Sequence, residues 1–255
     1  MLRALNQPEE LAVTKLVDRF GLDDMLTREP DDSFMASLLY YFGVLTLGGK
    51  NTFGKQILSI PNLVIRKLYV ECIAEMLIGN YDNKRAALRL TEQFYSTGEL
   101  QPLCDFITAT YSQVFDNRDY RWSNELTVKT AVMIVLFNDD FYMMESETPL
   151  SHHYADLSLI IRPDMRQYQL LDHLIEFKYL SLKALGLKAE MVKPISLEEL
   201  KNHPLVQEQI TQAQVQLQPY QHSLMEKYGP QLRLHTHVVV ALGFERLISE
   251  LLNLT

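Results

Sequence analysis

Along this chain the spacing of hydrophobic residues changes near the middle. In the first half they recur at the three-to-four-residue interval of helices, and in the second they also alternate at the two-residue interval of strands. Val13, Leu16, Val17 and Phe20 predict a helix within residues 8–25. A polar break with a proline follows at 27–33, then a segment apolar nearly all round at 34–47, read as a buried helix. Gly48-Gly49-Lys50-Asn51 reads as a turn, residues 56–60 as a short strand ending at Pro61-Asn62, and 63–78 as a helix. Residues 81–115 continue as helix, and 115–119 is the expected boundary between an N-terminal helical region (1–115) and a second domain (116–255).

The second half predicts a helix at 123–137, strands at 141–148, 154–161 and 173–180, and a helix over 196–228 with a kink near Pro219. A strand at 232–244 and a closing helix at 245–252 complete the order α-β-β-β-α-β-α. The expected class is therefore mixed α/β of the α+β kind. Helix, turn, strand, Pro-Asn and helix in the first half resemble a small winged-helix-like module, used for DNA docking or domain packing. Its few bases and many apolar residues favour packing.

Strands 154–161 and 173–180 carry the chemistry. Treated as a hairpin turning near Arg166, their opposed residue numbers sum to about 332, so that Asp156 faces Glu176. Alternation then sets Glu176 and Lys178 on one face with Asp156, and Leu157, Leu159, Ile161, Ile175 and Phe177 on the other. Opposed carboxylates destabilise a sheet unless something compensates. A divalent cation does so naturally, because Mg²⁺ is held by one or two carboxylates and keeps several waters. The plainer alternative is a surface hairpin with a Glu–Lys pair of little energetic worth. Glu125 shares a helical stripe with Val128, Val132 and Leu136, and so points toward the sheet, either as a further ligand or water-orienting group or simply at the favourable end of the helix dipole.

Composition changes this picture only at its edges. With 24 Lys+Arg against 32 Asp+Glu, the net charge of −8 argues against coating nucleic acid through bulk charge, but leaves room for a local basic groove. The longest apolar run, 131–137, is far short of a membrane span, and no secretory signal is visible, so no membrane partner is expected. Cys72 and Cys104 make neither a disulfide framework nor a zinc site, and the expected location is cytoplasmic. Gly49-x4-Gly54-Lys55-Gln56 falls short of a P-loop: Gln56 replaces the Ser or Thr, and a strand is expected where a helix should follow.

The run Ala155-Asp156-Leu157-Ser158-Leu159-Ile160-Ile161, followed by Ile175-Glu176-Phe177-Lys178, resembles the PD-(D/E)XK nuclease superfamily. Ser37–Thr46, Ile60-Pro61-Asn62 and Ala213-x-x-Gln216-Leu217-x-x-Tyr220 are similar to its bacterial branch in which the nuclease domain follows an AAA-ATPase-like domain. The resemblance implies a restriction-endonuclease-like αβββαβ core and an Mg²⁺- or Mn²⁺-dependent nuclease acting on nucleic acid, foremost DNA. It makes Asp156 and Glu176 metal ligands, Lys178 the catalytic lysine, and Glu125 the helix glutamate of the site. Gln216 and Tyr220 become supporting residues, and Glu147 the acidic residue of the first strand. Implied partners are nucleic acid, an ATPase-like domain or another protein, and a second copy of the chain. The chain departs from the family in Ala155, where the motif has proline, and in His153-Tyr154, where the closer branch has Gly-Arg. A catalytically inactive nuclease-fold module for nucleic-acid or protein binding is the alternative.

Other candidates are weaker. His152-His153 and His235-x-His237 lack a visible third metal ligand and read as structural or surface residues. Lys178, Lys183, Lys188 and Lys193 could line a phosphate-contacting edge or a solvated loop. Tyr120 and Trp122 read as packing residues.

Overall fold

Gly43, at φ 72°, takes the left-handed conformation that ends the first described helix, α1 (Asp32–Tyr41). The amide of Val44 folds back onto the carbonyl of Leu39, and the chain then enters strand β2 (Thr46–Lys50). The apolar 34–47 segment is thus a helix followed by the start of a strand, where one buried helix is expected from hydrophobicity alone. The computed structural model describes residues 12–13, 16, 32–114, 125–150 and 153–252. The helix expected within 8–25 lies mostly outside them, and Ala12–Val13 inside it form a short strand, β1. Strand β3 (Gln56–Ser59) pairs antiparallel with both, in the order β1-β3-β2. Val13, Ala36, Leu45 and Leu58 form the small core beneath it. In the turn between β2 and β3, the Asn51 side chain accepts from the amides of Phe53 and Lys55. The near-P-loop is therefore a hairpin tip with strand on both sides.

By its contacts the chain falls into two units, Met1–Ile73 and Ala74–Thr255, and helix α2 (Leu63–Ile78) spans the division. Helices α3 (Tyr81–Thr97) and α4 (Gln101–Val114) belong with the second unit, so the N-terminal region is shorter than the expected 1–115. The reason is packing. Phe94 of α3 stacks on His173 at 4.0 Å between ring centroids, and Gln101 of α4 exchanges hydrogen bonds with the backbone of residues 247 and 249.

The second unit continues with α5 (Glu125–Val135), β4 (Tyr142–Leu150), β5 (His153–Ile161) and β6 (Asp172–Leu180). Helices α6 (Ala189–Val192), α7 (Leu197–Lys201) and α8 (Pro204–Tyr228) precede β7 (Leu234–Leu242) and β8 (Arg246–Leu252). The five strands lie in the order β4-β5-β6-β7-β8; only β6 and β7 are parallel. The β5–β6 register is the one alternation predicts, with Leu157 opposite Ile175 and Leu159 opposite His173. Val206, Ile210, Ala213, Leu217 and Tyr220 of α8 pack with Leu174, Val238 and Val240. Leu157, Leu159, Ile161, Ile175 and Phe177 are buried as well, so both faces of β6 are covered.

The closing segment is a strand, not the expected helix. Leu247, Ile248, Leu251 and Leu252 satisfy either period. Tertiary context decides, because Gly243, at φ 56°, turns the chain tightly enough for Leu242 to pair with Arg246. The Gln101 carboxamide then occupies hydrogen-bonding groups of this edge strand, donating to Leu247 O and accepting from Ser249 N.

The histidines of β6 and β7 meet in this core. His173 joins His235 and His237, with Nδ1 of His173 3.4 Å from Nε2 of His237 and Phe94, Tyr95 and Tyr142 around them. The third histidine that the sequence does not reveal is thus supplied by strand pairing, His173 lying level with His235. Gly98, at φ 79°, caps α3 and allows the close approach: a Cβ there would stand 2.5 Å from His235 Nδ1. Burial, reinforced by the neighbouring imidazoles, lowers the pKa of His173 and brings that of His237 to about 3. Each therefore takes up a proton in the unfolded chain before the folded one. The stability it confers is complete above its unfolded value near 6.5 and falls as pH drops toward the folded value. Chemical denaturation of wild type and His237→Gln between pH 7.5 and 4 checks this. The stability difference between them should shrink in wild type's disfavour as pH falls, by up to about 1.4 kcal/mol per pH unit. A pH-independent difference contradicts it.

Candidate active site

Described pairing between β5 and β6 ends at Leu157 and Ile175, one residue before Asp156 and Glu176. There a side chain takes over from the ladder: the Phe177 N–H donates to Asp156 Oδ2 at 2.8 Å. A backbone N–H at the end of the β5–β6 pairing is thereby satisfied, and the Asp156 carboxylate is fixed at the point where these strands part. Its other oxygen, Oδ1, accepts from Lys129 Nζ at 3.1 Å. Lys129 projects from the second turn of α5, and its side chain is 3% exposed.

Two residues along β6, Lys178 shares the face of Glu176 and donates to its Oε1 at 2.8 Å. The same ammonium donates to Gln216 Oε1 of α8 at 2.9 Å. Glu176 is buried under this arrangement, and its Oε2 has no hydrogen-bond partner among the described residues. The charged face is covered at Glu176, because β6 is an interior strand and α8 lies over it. Burial, then the nearby Asp156 charge, raises the Glu176 pKa to about 7, against the pull of Lys178. Glu125 opens α5 and remains exposed. Its pKa is also raised, by desolvation and then by Asp156, while Lys178 and Lys129 oppose the rise. Glu125 is therefore within electrostatic reach of Asp156, Lys178 and Lys129, and Glu176 of Asp156 and Lys178.

The other expected residues divide. Gln216 reaches the site through Lys178. Tyr220, one turn further along α8, is buried in the apolar cluster with Leu174 and Leu217. Glu147 lies level with Asp156 in the β4–β5 register, between the pairs Ser146–Leu157 and Thr148–Ala155, but its side chain falls outside the described residues. So do Tyr120, Trp122 and His152. Lys183, Lys188 and Lys193 are exposed, and Lys193 stands 3.5 Å from Glu245.

Lys129 is the residue that the sequence reading misses. Its signal is its place four residues after Glu125, hence on the same side of the helix, as the one charge within an otherwise apolar or hydroxyl-bearing run.

Asp156, Glu176 and Glu125 offer hard oxygen donors, and Glu176 Oε2 is buried with no hydrogen-bond partner among the described residues. That donor chemistry fits Mg²⁺ or Mn²⁺. Among the described residues no three His, Cys, Asp or Glu side chains form a ready metal cage. Asp156 and Glu176 are instead each held by a lysine, Lys129 and Lys178 respectively. Nor, among those residues, is any helix long and apolar enough to cross a membrane. No protein-family model, curated protein or solved structure matches the chain.

Proposed function

We propose that this protein is a metal-dependent nuclease that hydrolyses phosphodiester bonds in nucleic acid, foremost DNA. The observation that carries the reading is the joining of Asp156, Glu176 and Lys178 where β5 and β6 part, with Gln216 steadying the lysine. The order α5-β4-β5-β6-α8-β7 supports a restriction-endonuclease-like core. The β1-β3-β2 sheet with its hairpin supports a winged-helix-like first unit. An ATPase-like domain, a protein partner and a second copy of the chain stay within the proposal as partners.

In this reading Asp156 and Glu176, with Glu125, hold Mg²⁺ or Mn²⁺, which when bound polarises a phosphoryl oxygen and lowers the pKa of a water. The chain's own contributions are positional and electrostatic. Asp156 is oriented by the Phe177 amide, so its carboxylate needs little reorganisation. Lys178, held by Gln216, presents an ammonium beside Glu176 that can orient a water or neutralise charge developing on the phosphorane. Lys183 and Lys188 offer exposed cations for backbone phosphates.

The alternative, a non-catalytic nuclease-fold module, has an observation of its own: both carboxylates already possess ammonium partners, so the site can persist without metal. Incubation with single- and double-stranded DNA and RNA in Mg²⁺ or Mn²⁺ separates the two. Metal-dependent cleavage of DNA is expected. Binding without cleavage of any substrate supports the module instead.

A further inference from the structure

We propose that Lys129 is a built-in cation that occupies Asp156 in the metal-free site and sets the threshold for divalent-metal binding. The inference rests on the metal-site reading above. Two observations support it. Lys129 Nζ lies 3.1 Å from Asp156 Oδ1, and the Phe177 amide occupies Oδ2, so both oxygens of this carboxylate are engaged. The Lys129 side chain is 3% exposed, so its charge is little screened by water. A divalent ion approaching Asp156 must therefore displace the Lys129 ammonium or bind against its repulsion.

Lys129 is thus a positioning residue distinct from Lys178. Lys178 pairs with Glu176 and Gln216 on the α8 side, and Lys129 holds Asp156 from α5. The arrangement gives the protein a stable apo form and a site that loads only when free metal is high enough.

Calorimetric titration of Mn²⁺ into wild type, Lys129→Met, Lys129→Arg and Asp156→Asn tests this, with apo melting temperatures measured alongside. Lys129→Met should bind Mn²⁺ on the order of tenfold more tightly than wild type while melting at lower temperature without metal. Lys129→Arg, which keeps the charge, should stay near wild-type affinity. A residue with only a structural role would lower stability and affinity together, so the opposite signs are the diagnostic readout. If Lys129→Met does not fold, Lys129→Gln carries the same expectation. Mn²⁺ binding by wild type with equal or weaker binding by the folded neutral variant overturns this inference and leaves the metal site standing. Absence of binding to wild type and to the neutral variants overturns both. Binding only once Lys129 is neutralised supports it. Asp156→Asn should bind no Mn²⁺, and equal binding by that variant would overturn the metal site together with the role given to Lys129.

Discussion

Lys178→Ala is expected to lose cleavage by a factor on the order of 10²–10⁴ while still binding Mn²⁺. The ammonium is the one positive group that β6 itself brings to the site, 2.8 Å from Glu176 and 2.9 Å from Gln216. Truncation leaves Asp156 with its Phe177 amide bond and Glu176 with an additional unpaired oxygen, so the capacity for cation binding survives. What disappears is the group able to orient a water or receive charge as the phosphorane forms. Lys178→Arg should recover part of the charge but little activity, since a planar guanidinium cannot take the place of a compact ammonium between two acceptors. Single-turnover cleavage and Mn²⁺ titration on the same preparations check both halves. Equal loss of metal binding and cleavage would mean that the lysine serves only to hold the site together.

The second large effect is on stability. Asp156→Asn should destabilise the metal-free protein by about 3 kcal/mol, because it removes the carboxylate that accepts from the buried Lys129 ammonium and from the Phe177 amide. At the scaling for a unit of this size, the melting temperature should fall by on the order of 10 °C. This reverses what the sequence alone suggests. Seen only as neighbours of each other, Asp156 and Glu176 repel, and removing one charge looks neutral or stabilising in the absence of metal. The structure adds Lys129 and changes the sign. Pairing the substitution with Lys129→Met should restore part of the loss, since the buried ammonium is then removed together with the carboxylate it donates to. A single Asp156→Asn variant as stable as wild type, with no recovery in the double variant, would contradict the pairing.

Much of the site is legible in the sequence because strand periodicity is a strong constraint. Once 156 and 176 sum to 332 across a turn at Arg166, the apolar set Leu157, Leu159, Ile161 and Ile175 allows one register, and the pairing follows it. The turn itself is held by Asp172, whose carboxylate accepts from Arg166 and from the amides of Ile161 and Arg233. The illegible parts depend on neighbours far along the chain. Lys129 looks like an ordinary helical lysine until α5 is laid beside β5, 27 residues later. Residues 245–252 fit a helix until β7 offers them a partner. His173 gives no hint of His235 and His237, because only the parallel β6–β7 pairing sets them together. The division near Ile73 is equally hidden, since α3 and α4 are amphipathic whichever core they cover.

The most direct test of the central claim is cleavage of duplex DNA by wild type in Mn²⁺, set beside the same protein in chelator and beside Lys178→Ala in Mn²⁺. Strand breaks are expected with wild type and Mn²⁺ only. Intact DNA in all three, with the protein folded and Mn²⁺ bound, or equal cleavage by Lys178→Ala, would contradict it.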